Sequence, residues 1–142
     1  MKRSLLVIAV LVILNSIPAR ADLPGAHPGL NHALNDLRQA QWILQGLAGQ
    51  AAVDSALNEI NQGMTGARIL TVDEGQNSIK PSANSSLSKQ AQLQQAQYLL
   101  QKAAHDLSGE VDRPQTRNAR QAINGHIQAA QQAVNQVLAK TN

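Results

Sequence analysis

The 142-residue chain predicts an all-α protein, an antiparallel up-down-up-down four-helix bundle built from two repeated helical hairpins. Three observations carry that expectation. Apolar residues recur three and four apart through four separate segments, the spacing that lines one face of a helix. One segment occurs twice, Leu37-Arg-Gln-Ala-Gln-Trp-Ile-Leu-Gln45 returning as Leu93-Gln-Gln-Ala-Gln-Tyr-Leu-Leu-Gln101. The offset is 56 residues, eight whole heptads, so each position keeps its helical phase. Finally, Gly, Pro, Asn and Ser gather between the periodic segments, where turns require them.

The first helix begins after the Pro28-Gly29 turn. Leu30, Ala33, Leu37, Ala40, Leu44 and Leu47 form its apolar stripe, Leu34 widens it, and Gly46 and Gly49 end it. The second helix takes Asp54 or Ser55 as its N-cap and buries Val53, Ala56, Leu57, Ile60, Met64, Ala67 and Leu70. Gly63 and Gly66 weaken it by about 1 kcal/mol each relative to alanine, unless they serve close helix approach. Asp73 to Ser88, with Gly75, Pro81 and five serines, reads as a linker. The third helix runs from about Ser88 to Leu107, and Gly109 with Asp112-Arg113-Pro114 breaks it. In the fourth, from about Pro114 to Ala139, Ala119, Ile123, Ile127 and Ala130 echo Ala56, Ile60, Met64 and Ala67 at an offset of 63. The difference of seven residues is assigned to the second hairpin's turn, where insertions are best tolerated. The organisation is thus a signal peptide over 1–21, hairpin one over about 29–72, a linker over about 73–87 and hairpin two over about 88–140.

Lys2 and Arg3, the apolar run Leu5 to Leu14, and Ala19-Arg20-Ala21 have the pattern of a secretory signal peptide cut before Asp22. The apolar run is half the length of about 20 residues that a membrane span needs, and no other stretch approaches it. The expected address is export, to the periplasm, without stable membrane insertion after cleavage. The formal charge of +3 leaves with that peptide. Lys2, Arg3 and Arg20 are removed, and the nine Lys and Arg that remain balance nine Asp and Glu. Arg113, Arg117 and Arg120 are the nearest approach to a basic cluster, and their helical spacing reads as a solvated stripe, so a nucleic-acid partner is not expected. Cysteine is absent, which excludes disulfides and thiolate metal sites. With no Phe and only Trp42 and Tyr98 as aromatics, the core is small and aliphatic.

Enzymatic chemistry is not expected. The sequence has no Gly-rich phosphate loop, nucleophile elbow, Glu-x-x-His pair or HExxH run, and its carboxylates fall on polar faces or at helix ends as caps and dipole partners. No cofactor is predicted. Four histidines are the available transition-metal ligands. In an up-down-up-down bundle His105 belongs to the end opposite His32, and His126 lies about 15 Å from His32 along the axis at 1.5 Å per residue. Only His27 and His32, folded together by the Pro28-Gly29 turn and joined by Asp22, offer a loose metal site, the alternative to a non-metal function. Trp42 and Tyr98 fall at the same heptad position outside the apolar stripe, with Ile43 and Leu99 beside them. The four residues are read either as a widened buried face or as two equivalent contact patches for a protein partner or a second copy. The polar faces are amide-rich, as in Gln94, Gln95, Gln97 and Gln101, which solvates a helix without giving it a strong field.

The run His27-Pro28-Gly-Leu-Asn-His32-Ala33-Leu34-Asn-Asp36-Leu37-Arg38-Gln-Ala40-Gln-Trp42 resembles the opening of a family of small exported bacterial helical proteins without an assigned activity, in which a His-Pro segment leads into His-Ala-Leu-x-Asp-Leu-Arg-x-Ala-x-Trp. Arg113-Pro114-Gln115-Thr116-Arg117 is similar to that family's Asn-Pro-Gln-Thr-Arg turn, with arginine in place of asparagine. The resemblance implies a periplasmic helical bundle and carries no catalytic residues across. His32, Asp36, Arg38 and Trp42 match the shared pattern. Asp36 and Arg38, two apart, do not face each other on a helix, and each is available to hold a neighbouring helix or turn. The functional expectation is a non-enzymatic binding or scaffolding module, with weak transition-metal binding through His27 and His32 as the alternative.

Overall fold

A computed structural model describes residues 27–71, 87–110 and 113–141. The expected signal peptide and most of the linker lie outside the described residues. Four helices make up the fold: α1 (Pro28–Gln45), α2 (Ala51–Leu70), α3 (Lys89–Ser108) and α4 (Pro114–Thr141). No strand occurs among the described residues. Each helix starts or stops where local chemistry requires it. Pro28 opens α1 at a position whose N–H needs no partner. The Ser88 side chain accepts from the Ala91 N–H at 3.1 Å and caps α3. Gly46 and Gly109 end α1 and α3, and Gly49, at φ +102°, makes a turn conformation that L side chains rarely adopt. Neither Asp54 nor Ser55 is an N-cap. Helix α2 begins at Ala51, one turn earlier, and Asp54 accepts from the Gly49 N–H at 3.0 Å to brace the turn.

The four apolar stripes meet in one core. Leu30, Leu34, Leu37 and Leu44 of α1, Val53 and Ile60 of α2, Leu93 and Leu100 of α3, and Ile123, Ile127 and Val134 of α4 are almost wholly enclosed. Alanines at Ala33, Ala40, Ala56, Ala67, Ala96, Ala103 and Ala130 are fully buried between them and let the helices approach closely. Gly63 and Gly66 do the same between α2 and α4. A Cβ at Gly66 would lie 3.0 Å from Ile123 Cγ1, and one at Gly63 would lie 3.6 Å from the His126 Cβ.

The bundle is closed and its neighbours are antiparallel, but the chain does not run up-down-up-down. Helix α1 packs on α2 and α3, and α4 packs on the same two, so the order around the bundle is α1, α2, α4, α3. Contacts fix the directions. Along α1, Gly29 meets Asp106 and Asp36 meets Lys102, so α3 runs against α1. Gln41 with Asn61 and Asn31 with Thr71 run α2 against α1. Glu59 with His126 and Gly66 with Ile123 run α4 against α2. The sense is therefore up-down-down-up, and α2 ends at the opposite end of the bundle from the start of α3. An up-down-up-down path needs the third helix to start where the second stops. The chain from Thr71 to Leu87 frees the second hairpin from that requirement, because at about 3.3 Å per residue it is long enough to join ends about 30 Å apart.

The two halves are equivalent at one offset of 63, not at 56 in one helix and 63 in the other. Gly46 and Gly109 end α1 and α3, and Ala51 and Pro114 open α2 and α4. Buried Leu30, Ala33, Leu37, Ala40 and Leu44 match buried Leu93, Ala96, Leu100, Ala103 and Leu107. The hairpin turns, 46–50 and 109–113, are equally long, so the second holds no seven-residue insertion. The 56-residue echo is displaced by one heptad, a shift that leaves apolar phase intact and is invisible to periodicity. Trp42 therefore matches His105 and Tyr98 matches Asn35, so the two aromatics occupy inequivalent places.

Candidate functional site

The run from His27 to Asp36 forms a clasp between the start of α1 and the end of α3. Lys102, Asp106 and Glu110 stand four residues apart and present one row to α1. Glu110 works at the helix terminus: its Oε1 accepts the Leu30 N–H at 3.0 Å, and its Oε2 lies 3.3 Å from His27 Nδ1. A carboxylate just beyond the end of α3 thus satisfies an orphan donor in the first turn of α1, where the helix dipole also favours negative charge. His27 itself makes no side-chain cap. Gly29 is the point of closest approach, since a Cβ there would sit 2.5 Å from the Asp106 carbonyl oxygen and 2.8 Å from Glu110 Oε1. The Glu110 carbonyl accepts from Arg120 Nη1 at 3.1 Å and ties α4 to the same corner.

One turn further in, Asp36 is buried, 3% exposed, and its Oδ2 accepts from Lys102 Nζ at 2.8 Å. Lys102 also lies 3.5 Å from Asp106. Burial pushes the Asp36 carboxyl above its ordinary 3.8, against the pull of the Lys102 ammonium and with help from the neighbouring Asp106. Lys102 is held above its ordinary 10.5, chiefly by its hydrogen bond to Asp36. The two directions agree physically. Asp36 has lost its water, whereas the Lys102 side chain, 41% exposed, keeps most of its own and gains a carboxylate. Sequence reasoning placed Asp36 among polar-face and helix-end carboxylates; instead it sits inside the α1–α3 interface. The available signal was its spacing, since Asp36 falls between Ala33 and Ala40 in the apolar stripe.

The remaining candidates separate. His32 is exposed and His27 faces Glu110, and no group of three or more metal-ligating side chains that could hold an ion occurs among the described residues. Asp22 lies outside them. His105 stands at the same end of the bundle as His32, not the opposite one, because α3 descends beside α1. His126 faces Glu59 at 2.7 Å across the gap that Gly63 leaves. Of the aromatic and aliphatic pairs, Leu99 is buried and Ile43 packs partly buried against the core. Trp42 is half-buried, and Tyr98 is 62% exposed. Gln94, Tyr98, Gln101 and His105 follow helical spacing as an exposed stripe along α3. Ile69, at the end of α2, is the other large exposed apolar side chain among the described residues. No helix among the described residues is long and apolar enough to cross a membrane. The chain matches no protein-family model, no curated protein and no solved structure.

Proposed function

We propose that this is a non-enzymatic exported protein, a periplasmic binding or scaffolding module of the small helical family that its opening sequence resembles. Its contact surface is the outer face of α3. The observation that carries the reading is Tyr98, whose ring stands 62% exposed in a stripe of amides. An exposed tyrosine gives a partner a large rigid apolar face and a hydroxyl, and amides supply hydrogen bonds without the desolvation cost of charge. The clasp residues support the same reading from the other side. His27, Asp36 and Glu110 are engaged in joining α1 to α3, which leaves the outer faces as the place for contact with a protein partner or a second copy.

The test is site-specific photo-crosslinking in the exporting cell from position 101, one turn from Tyr98, with position 132 on α4 as the control. The expected result is a discrete cross-linked species from position 101, absent from position 132 and lost when Tyr98→Ala is added. Equal labelling from both positions, or a species indifferent to Tyr98→Ala, contradicts the reading.

A further inference from the structure

The equivalence of the two hairpins provides an internal comparison, and it separates two stripes that the repeat makes equal. On α1 the stripe Asn31, Asn35, Arg38 and Trp42 is half-buried throughout, and Asn31 is tied to Thr71 at the end of α2. Sixty-three residues on, Gln94, Tyr98, Gln101 and His105 take the same places on α3 and are exposed throughout. At the same spacing the α3 stripe extends to half-buried Ala91 and exposed Ser108. Steps of three and four over six positions are those of a helix–helix seam, and this one lies outside the stripe that α3 gives to the core.

The chemistry of the seam selects what fits it. None of its six residues is Asp, Glu, Lys or Arg, and α3 carries no such residue from Gln90 to Gln101. The charges that follow are turned to α1, where Lys102 Nζ meets Asp36 at 2.8 Å and Asp106 at 3.5 Å. Exposed surfaces ordinarily carry charge, which keeps copies of a chain apart. A surface that meets itself has the opposite requirement, because a twofold axis brings like residues together. The matched stripe on α1 does not meet it, since Arg38 stands where α3 has Gln101.

From the exposed, charge-free seam we infer that a second copy of the chain docks its own α3 on this one, antiparallel about a twofold axis. The inference rests on the reading of α3 as the contact surface and names its occupant. With the axis midway between Tyr98 and Gln101, Tyr98 faces Gln101 of the second copy, Gln94 faces its His105 and Ala91 its Ser108. Each level is complementary. The tyrosine ring covers the apolar part of a glutamine side chain, an amide meets an imidazole with which it exchanges a hydrogen bond, and two small residues let the helix ends close. A parallel pairing would instead set His105 against His105 and align the two helix dipoles. One pair of helices about 26 Å long is a small contact beside those of permanent complexes. The dimer is therefore weak and reversible, with a dissociation constant on the order of 100 µM.

The test uses the absence of cysteine. Gln94→Cys and His105→Cys are introduced singly and together into the exported chain, which is purified and mildly oxidised. The two positions are about 16 Å apart along one helix, beyond the Cα separation of about 4.4–6.8 Å that a disulfide tolerates, so they cannot join within a chain. The double variant is expected to give a disulfide-linked dimer, which each single variant lacks and which adding Tyr98→Ala removes. Sedimentation of the parent is expected to show a concentration-dependent dimer. Gln101→Glu, beside the axis, weakens it by about tenfold or more through like charge, and mixing Gln101→Glu with Gln101→Lys chains restores it. Single variants that cross-link as readily as the double, or a dimer indifferent to Tyr98→Ala or to the charge swap, overturn the inference. In the exporting cell, a photo-crosslinked product from position 101 with twice the mass of the chain supports it. A product of any other mass overturns it and leaves α3 as the contact surface, whereas no product overturns both.

Discussion

Replacing Gly29 by alanine is the most demanding perturbation of the clasp, because it adds a single methyl group where α1 touches α3. That methyl would stand 2.5 Å from the Asp106 carbonyl oxygen, whereas a carbon and an oxygen in good contact are about 3.3–3.6 Å apart. The obstacle is backbone, so α1 must withdraw by close to an ångström. The same movement lengthens the 3.0 Å bond from the Leu30 N–H to Glu110 and the 3.3 Å contact of His27 with the same carboxylate. Overpacking of this kind costs about 1–3 kcal/mol, and weakening a bond to a charged acceptor adds about 1 kcal/mol or more. Alanine returns at most about 1 kcal/mol of helix propensity. The expected net loss is about 2 kcal/mol, which lowers the midpoint of thermal unfolding by about 10 °C in a domain of this size. Gly125 is the control. A Cβ there meets nothing within 4 Å, so Gly125→Ala is expected to gain about 0.8 kcal/mol from propensity alone. Urea and thermal unfolding of the two variants, followed by circular dichroism, separate the effects. A Gly29→Ala protein as stable as the parent would refute the close approach on which the clasp rests.

Four further outcomes follow from the same geometry. Lys102→Met leaves Asp36 enclosed beside Asp106 without its cation and is expected to cost about 1–3 kcal/mol in chemical unfolding at neutral pH. The raised Asp36 carboxyl means that the folded chain takes up a proton before the unfolded chain does, so this group favours folding increasingly as the pH falls from its raised value towards 3.8. The parent should therefore gain stability relative to Asp36→Asn across that acid window, and a parent that loses stability relative to the variant on acidification contradicts the assignment. Glu59→Gln should change stability by less than about 1 kcal/mol, because the Glu59–His126 contact is part-exposed. Tyr98→Ala should shift stability by no more than about 0.5 kcal/mol, and half-buried Trp42→Ala by clearly more; the reverse order would place Tyr98 in the packing and remove it from the contact surface.

Much of the fold was legible because heptad phase decides which side chains are buried. Leu30, Leu37, Leu44, Ile60, Leu93, Leu100, Ile123 and Ile127 all lie in the core that their spacing implied. Phase also explains what was not legible. Periodicity cannot distinguish offsets that differ by one heptad, so the resemblance of Trp42 to Tyr98 suggested an equivalence that the cap glycines Gly46 and Gly109 correct. Nor does it say where a helix begins after a long connection, so the direction of α3 was open. That direction depends on tertiary pairing, Gly29 against Asp106 and Asp36 against Lys102, which brings residues 66 or more positions apart into contact. Buried Asp36 was hidden for a related reason. A carboxylate in an apolar stripe is explicable only once its cation on another helix is known, and Lys102 lies in an interface that the expected chain order did not contain.

The account depends on α3 descending beside α1, and the absence of cysteine makes that direction measurable. His32 and His105 are both exposed, so His32→Cys with His105→Cys can be spin-labelled and their separation read by pulsed electron resonance. The up-down-down-up bundle predicts a single short distance, with both labels at one end. An up-down-up-down chain would place them about 20 Å apart along the axis, by the rise of 1.5 Å per residue, and a distribution centred there would contradict the clasp and the hairpin equivalence.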